Sequence, residues 1–404
     1  MSMMYLAPLV TVWGLPMLAT GTILWRKIAN KELVAARTAG TALGILGLMI
    51  VLAGVILAWP NPASIVPAAL LNFAVLTVLA VALELPVAHV IAALCFALAY
   101  VVTFHVGSGN ITWQNLRVMS LLEVCVSVSS GQALAGAVAL FVIASEWLKN
   151  RTTRIRTSQE GWLAPASDCY IVVASITAVV SLMLVTGLGI AALDQYSIWI
   201  VYGLYALGAF WLAWRRNAVP FTWIGSALLL VALALNFAPA GFAFPWQTAF
   251  FAHATICAAA AIVSSRYERG KVFSVLNYSA LISIVLGVVC LFQANTWTIT
   301  WMQAQRVFWI AGILLLLLWL NRRRLIFNLF QVALLCALVL TVKATLQEFD
   351  WYSYVPHAFL RPAALQIYGT VLALFCLSWL ALRVIICRGG PLWPPGAGDS
   401  TDGG

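Results

Sequence analysis

The sequence predicts an all-α, polytopic transmembrane helix bundle of about thirteen spans, with its N-terminus outside and its C-terminus in the cytoplasm. Three observations lead there. Of 404 residues, 63% are hydrophobic and only 8% charged, against roughly 25% charged in a soluble domain. That is too few ionic groups to coat a water-soluble globule. Apolar runs long enough to cross a bilayer recur from end to end. Finally, the cations gather in every second connector, as expected if basic loops stay on the cytoplasmic side during insertion.

A span needs roughly 20 apolar residues, because the hydrocarbon core is about 30 Å thick and a helix rises about 1.5 Å per residue. On that rule the spans lie near 4–25, 39–59, 64–83, 86–104, 121–147, 168–190, 198–214, 219–238, 245–264, 273–293, 306–320, 325–345 and 363–387. The first has no basic stretch before it and is too long for a signal-peptide core, so it reads as a retained span. The seventh and eleventh are short, which suggests tilt or extension into the interface. Residues 389–404, rich in Gly and Pro, read as a disordered cytoplasmic tail after a single transmembrane domain over 1–388. The longest connections, about 106–120, 148–167 and 346–362, are too short to bury a core of their own.

The cations test this threading. Arg26, Lys27, Lys31 and Arg37 follow span one, and Lys149, Arg151, Arg154 and Arg156 follow span five. Arg215 and Arg216 follow span seven, and Arg266, Arg269 and Lys271 follow span nine. Arg322, Arg323 and Arg324 follow span eleven, and Arg383 and Arg388 close span thirteen. These make eighteen of the twenty-two cations, all after odd-numbered spans; Arg117, Arg306, Lys343 and Arg361 fall on the other side. The formal charge of +10 is therefore topogenic, with some attraction for anionic lipid, and does not indicate nucleic acid. Trp25, Trp59, Trp113, Trp147, Trp162, Trp214, Trp246, Trp297, Trp301, Trp319 and Trp351 cluster near predicted span ends, where an amphipathic ring suits the headgroup layer.

Cys95, Cys125, Cys169, Cys257, Cys290, Cys336, Cys376 and Cys387 sit in or beside apolar runs with no CxxC pair and no metal-ligand spacing. They read as small hydrophobes. Gly40, Gly44, Gly47 and Gly54 share one face of span two and predict a close helix contact. Tyr202–Phe237 and Val307–Val342 share a plan of helix, basic turn and helix, either by duplication or by convergence on the easiest cytoplasmic turn.

In hydrocarbon a charge costs a few kcal/mol or more, so embedded ionisable groups are where function would show. Glu123 opens span five, with Ser127, Gly131, Ala135 and Ala139 at steps of four. That spacing puts the carboxyl on the same helical face as a stripe of small residues and turns it into the bundle, suited to a cation or proton; otherwise it is an interfacial group, solvated or paired with Arg117. His253, mid-span nine, is either a buried imidazole bonded to its bundle or a proton or substrate contact. Glu84 and His89 flank Pro86 at a cytoplasmic turn and read as a local pair. Asp168 reads as an acid at the start of span six, and Lys343 snorkels outward near Gln347 and Glu348.

One constellation occupies the predicted outer face. Short loops carry His105 and Arg117, then Arg306, then Glu348, Asp350, His357 and Arg361, interleaved with Trp351, Tyr352 and Tyr354. Arginine forks suit phosphate, and a nearby His or acid suits a general base. Asn110-Ile111-Thr112 is an acceptor sequon on the same side. No P-loop, Rossmann glycine pattern, HExxH, GxSxG triad or paired haem-ligating histidines occur, so no cofactor and no metal are expected.

Two classes of function follow. One is transport of a small or lipidic solute, or a scaffold role in an assembly, with the bilayer and other membrane subunits as partners; Glu123 and His253 are then the candidate binding residues. The other is an extracytoplasmic lipid-linked glycan transferase using Arg117, Arg306, His357 and Arg361. Basic connectors on one side fit a bacterial cytoplasmic membrane.

Overall fold

A computed structural model describes residues 2–28, 34–83, 86–114, 117–154, 163–191, 195–238, 245–267, 269–293, 301–321, 323–353 and 358–388. Among them no strand occurs. The helices are α1 (Ser2–Ile28), α2 (Val34–Ala58), α3 (Pro62–Leu83), α4 (Pro86–Gly107), α5 (Val118–Cys125), α6 (Val128–Arg154), α7 (Leu163–Ala191), α8 (Gln195–Arg216) and α9 (Val219–Phe237). There follow α10 (Pro245–Arg266), α11 (Gly270–Gln293), α12 (Trp301–Asn321), α13 (Arg324–Leu346), the single turns α14 (Asp350–Ser353) and Ala358–Leu360, and α15 (Pro362–Arg388). Twelve helices are long and apolar enough to cross a membrane, and α1 adds the apolar stretch Leu9–Leu24. The thirteen long helices match the thirteen expected spans one for one. The spans expected to be short run to 22 residues in α8 and 21 in α12, because polar residues such as Gln195, Gln303 and Arg306 extend the helices beyond their apolar centres. Residues 389–404 lie outside the described residues.

The chain divides into two compact units, Met1–Phe242 and Ala243–Gly404. In the first, the most extensive packing is within the hairpins α1/α2, α3/α4, α6/α7 and α8/α9, with α4, α6, α7 and α8 also meeting one another. In the second, α10/α11 and α12/α13 are the hairpins, α10 also meets α12, and α15 rests on α13. All six hairpins close through a connector that follows an odd-numbered span, the class of connector that holds the cations. Only 6% of the Pro362–Ala381 stretch of α15 is buried.

Glycine sets the closest of these contacts. A Cβ at Gly21 would lie 2.6 Å from the Gly44 backbone nitrogen, and one at Gly47 would lie 2.7 Å from that of Leu18. The glycine face of span two thus meets α1, as its spacing predicts. Gly131 plays the same part between α6 and α7, where an added Cβ would stand 2.5 Å from Val185 Cγ2. The expected repeat is a hairpin plan shared also by α10/α11, and its two turns use asparagine differently. Asn217 takes a left-handed φ of 49° after α8, a conformation asparagine tolerates. Asn321 instead exchanges side-chain hydrogen bonds of 2.8 and 3.2 Å with Asn277 of α11.

Span five departs from expectation. It is two helices, broken at Val126 and Ser127. Val126 leaves the helical region (φ −100°, ψ 64°). The Ser127 hydroxyl caps α6 by accepting from the Ser130 amide at 3.2 Å, while Ser127 and Ser130 both donate to the Val124 carbonyl, at 2.6 and 2.7 Å. Serine hydroxyls compete with the helix for its own carbonyls, and three in four residues suffice here. Glu123 therefore sits on the short α5, off the axis of the small-residue face of α6, and its side chain is exposed.

Candidate functional site

The richest polar arrangement lies in the first unit, along one face of α7. Val172, Ile176, Val179, Val180 and Met183 are exposed, as suits a lipid-facing side, whereas Ser167, Tyr170, Thr177 and Ser181 are buried. Their spacing of three, seven and four puts them on one helical face. Together they cover about 21 Å at roughly 1.5 Å per residue.

One end of this face is closed by charge. Ser145 of α6 donates to the Ser167 carbonyl at 2.8 Å, and Ser167 donates back to the Ser145 carbonyl at 3.0 Å. Arg216, the last residue of α8, donates from Nε to Glu146 Oε1 at 2.7 Å and from Nη2 to Ser145 Oγ at 2.9 Å. Its Nη1 stands 3.7 Å from Asp168 Oδ1, and Arg215 Nε is 4.0 Å from Glu146 Oε2. The Glu146 and Arg216 side chains are only 8% and 11% exposed. A cation at a helix C-terminus also answers the helix dipole. Asp168 lies past the first turn, because α7 begins at Leu163, so it serves the arginine more than the helix start.

The middle of the face is polar and unsatisfied. Ser181 donates to the Gly131 carbonyl at 2.5 Å, but the Tyr205 hydroxyl of α8, beside Ser181, has no hydrogen bond. Neither ring nitrogen of His89 is bonded, although the residue is 4% exposed; its ring centroid is 5.5 Å from that of Tyr170. Thr77 of α3 pairs with the Tyr170 hydroxyl, and the Thr177 oxygen is unpartnered. Elsewhere Thr11, Thr222, Thr255 and Thr341 satisfy themselves on the carbonyl four residues back. Thr177 makes no such bond. Each unsatisfied buried group costs about 1–3 kcal/mol, so a cluster of them calls for water or a polar solute.

At the other end of the first unit a complete relay pins the helix break. Asn110 Nδ2 donates to His105 Nδ1 at 3.0 Å, and His105 Nε2 donates to Ser130 Oγ at 2.7 Å; that hydroxyl goes on to the Val124 carbonyl. His105 is fully buried within α4, not in a loop as its sequence position suggested. Its tautomer is fixed and its hydrogen bonds are made.

The remaining expected residues are dispersed. Arg117 is the exposed residue preceding α5. Arg306 lies in the second turn of α12, not in a loop, and donates to Gln247 Oε1 and, at 3.3 Å, to Met302 Sδ. Arg361 is exposed and donates to the Trp351 carbonyl at 3.2 Å, while Glu348 accepts from Trp301 Nε1 at 2.7 Å. His357 and Glu84 lie outside the described residues. His253 is buried, with Nδ1 2.8 Å from Ser283 Oγ of α11 and Nε2 3.5 Å from Cys257 Sγ, so it bridges α10 to α11. It belongs to the second unit and Glu123 to the first. Among the described residues no three His, Cys, Asp or Glu side chains gather closely enough to hold a metal, and no two cysteines are bonded. Sequence reasoning passed over Glu146 and Thr177. Glu146 carried a readable signal, a lone acid one turn before a basic run. No family model, no curated protein and no solved structure matches the chain.

Proposed function

We propose that the first unit carries a small polar solute across the membrane along the inward face of α7. The observation that supports this is the run of buried, partly unsatisfied polar groups from Ser167 to Ser181. In membrane helices such groups face water-filled cavities or substrate paths. The Glu146–Arg216 pair then closes the cytoplasmic end, consistent with residence in a bacterial cytoplasmic membrane. The glycan-transferase reading has less support, since Arg306 and Arg361 each hold a different protein partner. A scaffold role is the second reading, favoured by the nearly bare α15.

Single cysteines placed on α7, in a background with the eight native cysteines changed to alanine, test the path. Thr177→Cys and Ser181→Cys should react with a small, uncharged, water-soluble thiol reagent, whereas Ile176→Cys and Val180→Cys should react only with a lipid-soluble one. Protection of the inward pair from water-borne reagent would abandon the path and leave the scaffold.

A further inference from the structure

We infer that His89, Thr77 and Tyr170 bind an uncharged solute rich in hydroxyl or amide groups, of the polyol or urea type; this rests on the transport reading above. The three belong to α4, α3 and α7, which meet in the first unit through the Tyr170 ring. Each offers both a donor and an acceptor: the neutral imidazole one of each, the two hydroxyls likewise. Both ring nitrogens of His89 are open there, the Thr77 hydroxyl pairs with that of Tyr170, and the unpartnered Thr177 lies two turns further along α7. Among the described residues no charged side chain acts on His89 or Tyr170. Toward this end Glu146, Asp168, Arg215 and Arg216 answer one another, and Lys149, Arg151 and Arg154 lie further along α6.

An ion would meet no counter-charge in such a setting, and leaving it desolvated is costly. A neutral solute with alternating donors and acceptors matches it. The apolar walls, with Tyr170 also 6.4 Å from the Phe141 ring and Ala93, Ala97 and Ala174 in the same cluster, suit the carbon skeleton of a polyol. This is the usual make-up of a small-molecule site, mostly apolar with a few placed polar groups.

The full-length protein reconstituted in liposomes gives the test, with glycerol and urea as probes in stopped-flow light scattering. Wild-type vesicles should reswell several-fold faster than protein-free ones for at least one probe. Thr77→Val, which keeps the shape and removes the hydroxyl, should slow that permeation about tenfold, the equivalent of one lost hydrogen bond, and His89→Phe should abolish it. Ser175→Ala, on the outward face, should leave it unchanged. Wild-type rates equal to protein-free vesicles, or rates unaffected by both variants, would overturn the assignment. If the α7 cysteines are reached by water-borne reagent while neither probe permeates, this solute class fails and the path stands. If the cysteines are protected, both fail.

Discussion

Glu146→Ala should destabilise the folded protein by about 3–5 kcal/mol, the usual cost of leaving a buried ion without its partner. Arg216 would keep its bond to Ser145 and a 3.7 Å approach to the exposed Asp168, so the loss should fall toward the lower figure. The measurement is unfolding of the purified protein in mixed micelles by denaturing detergent. Arg216→Ala should cost a similar amount, and the double variant markedly less than the sum, because each single change strands the other charge. Glu146→Leu with Arg216→Met should lie close to wild type, since apolar replacement of a buried pair is often neutral. Additive single effects would mean that the two side chains do not act as a pair, and the charged closure of the α7 face would have to be given up.

The second large effect is expected where α1 meets α2. Gly21→Leu and Gly47→Leu should each cost about 1–3 kcal/mol or separate the hairpin, because overpacking forces backbone movement. At Gly21 and Gly47 the obstruction is a backbone nitrogen at 2.6 and 2.7 Å, which no rotamer change relieves. Gly44→Ala supplies an internal contrast, since nothing stands within 4 Å of its added Cβ. Equal tolerance at Gly21, Gly44 and Gly47 in the same unfolding assay would contradict the close approach.

Hydropathy made the helices legible because a single chemical requirement, enough apolar length to cross lipid, governs every one of them. The glycine face of α2 was readable for a similar reason: spacing alone decides which residues share a face. Of the two readings of Glu123 the inward one fails and the interfacial one fits its exposed side chain, because steps of four carry information only while the helix continues. The break at Ser127 is made by hydroxyls that a tally of apolar residues ignores, although Ser127, Ser129 and Ser130 stand close together in the sequence. Glu146 and Arg216 went unnoticed for the opposite reason. The arginine had a sufficient explanation as a topogenic charge, and that explanation hid its second role. Thr177 could not have been found, because a helical threonine ordinarily satisfies itself on its own backbone and only the folded chain shows that this one does not.

The preference for hairpins that close after odd-numbered spans, at a basic turn in five of the six, bears on how the chain is made. A pair of helices that grip each other tightly can leave the translocon as a finished unit, so the membrane would receive this protein in six instalments followed by one solitary helix. Cutting the gene between instalments, for example within residues 239–244, should yield two fragments that each insert on their own, whereas a cut inside a hairpin turn would orphan half of an instalment.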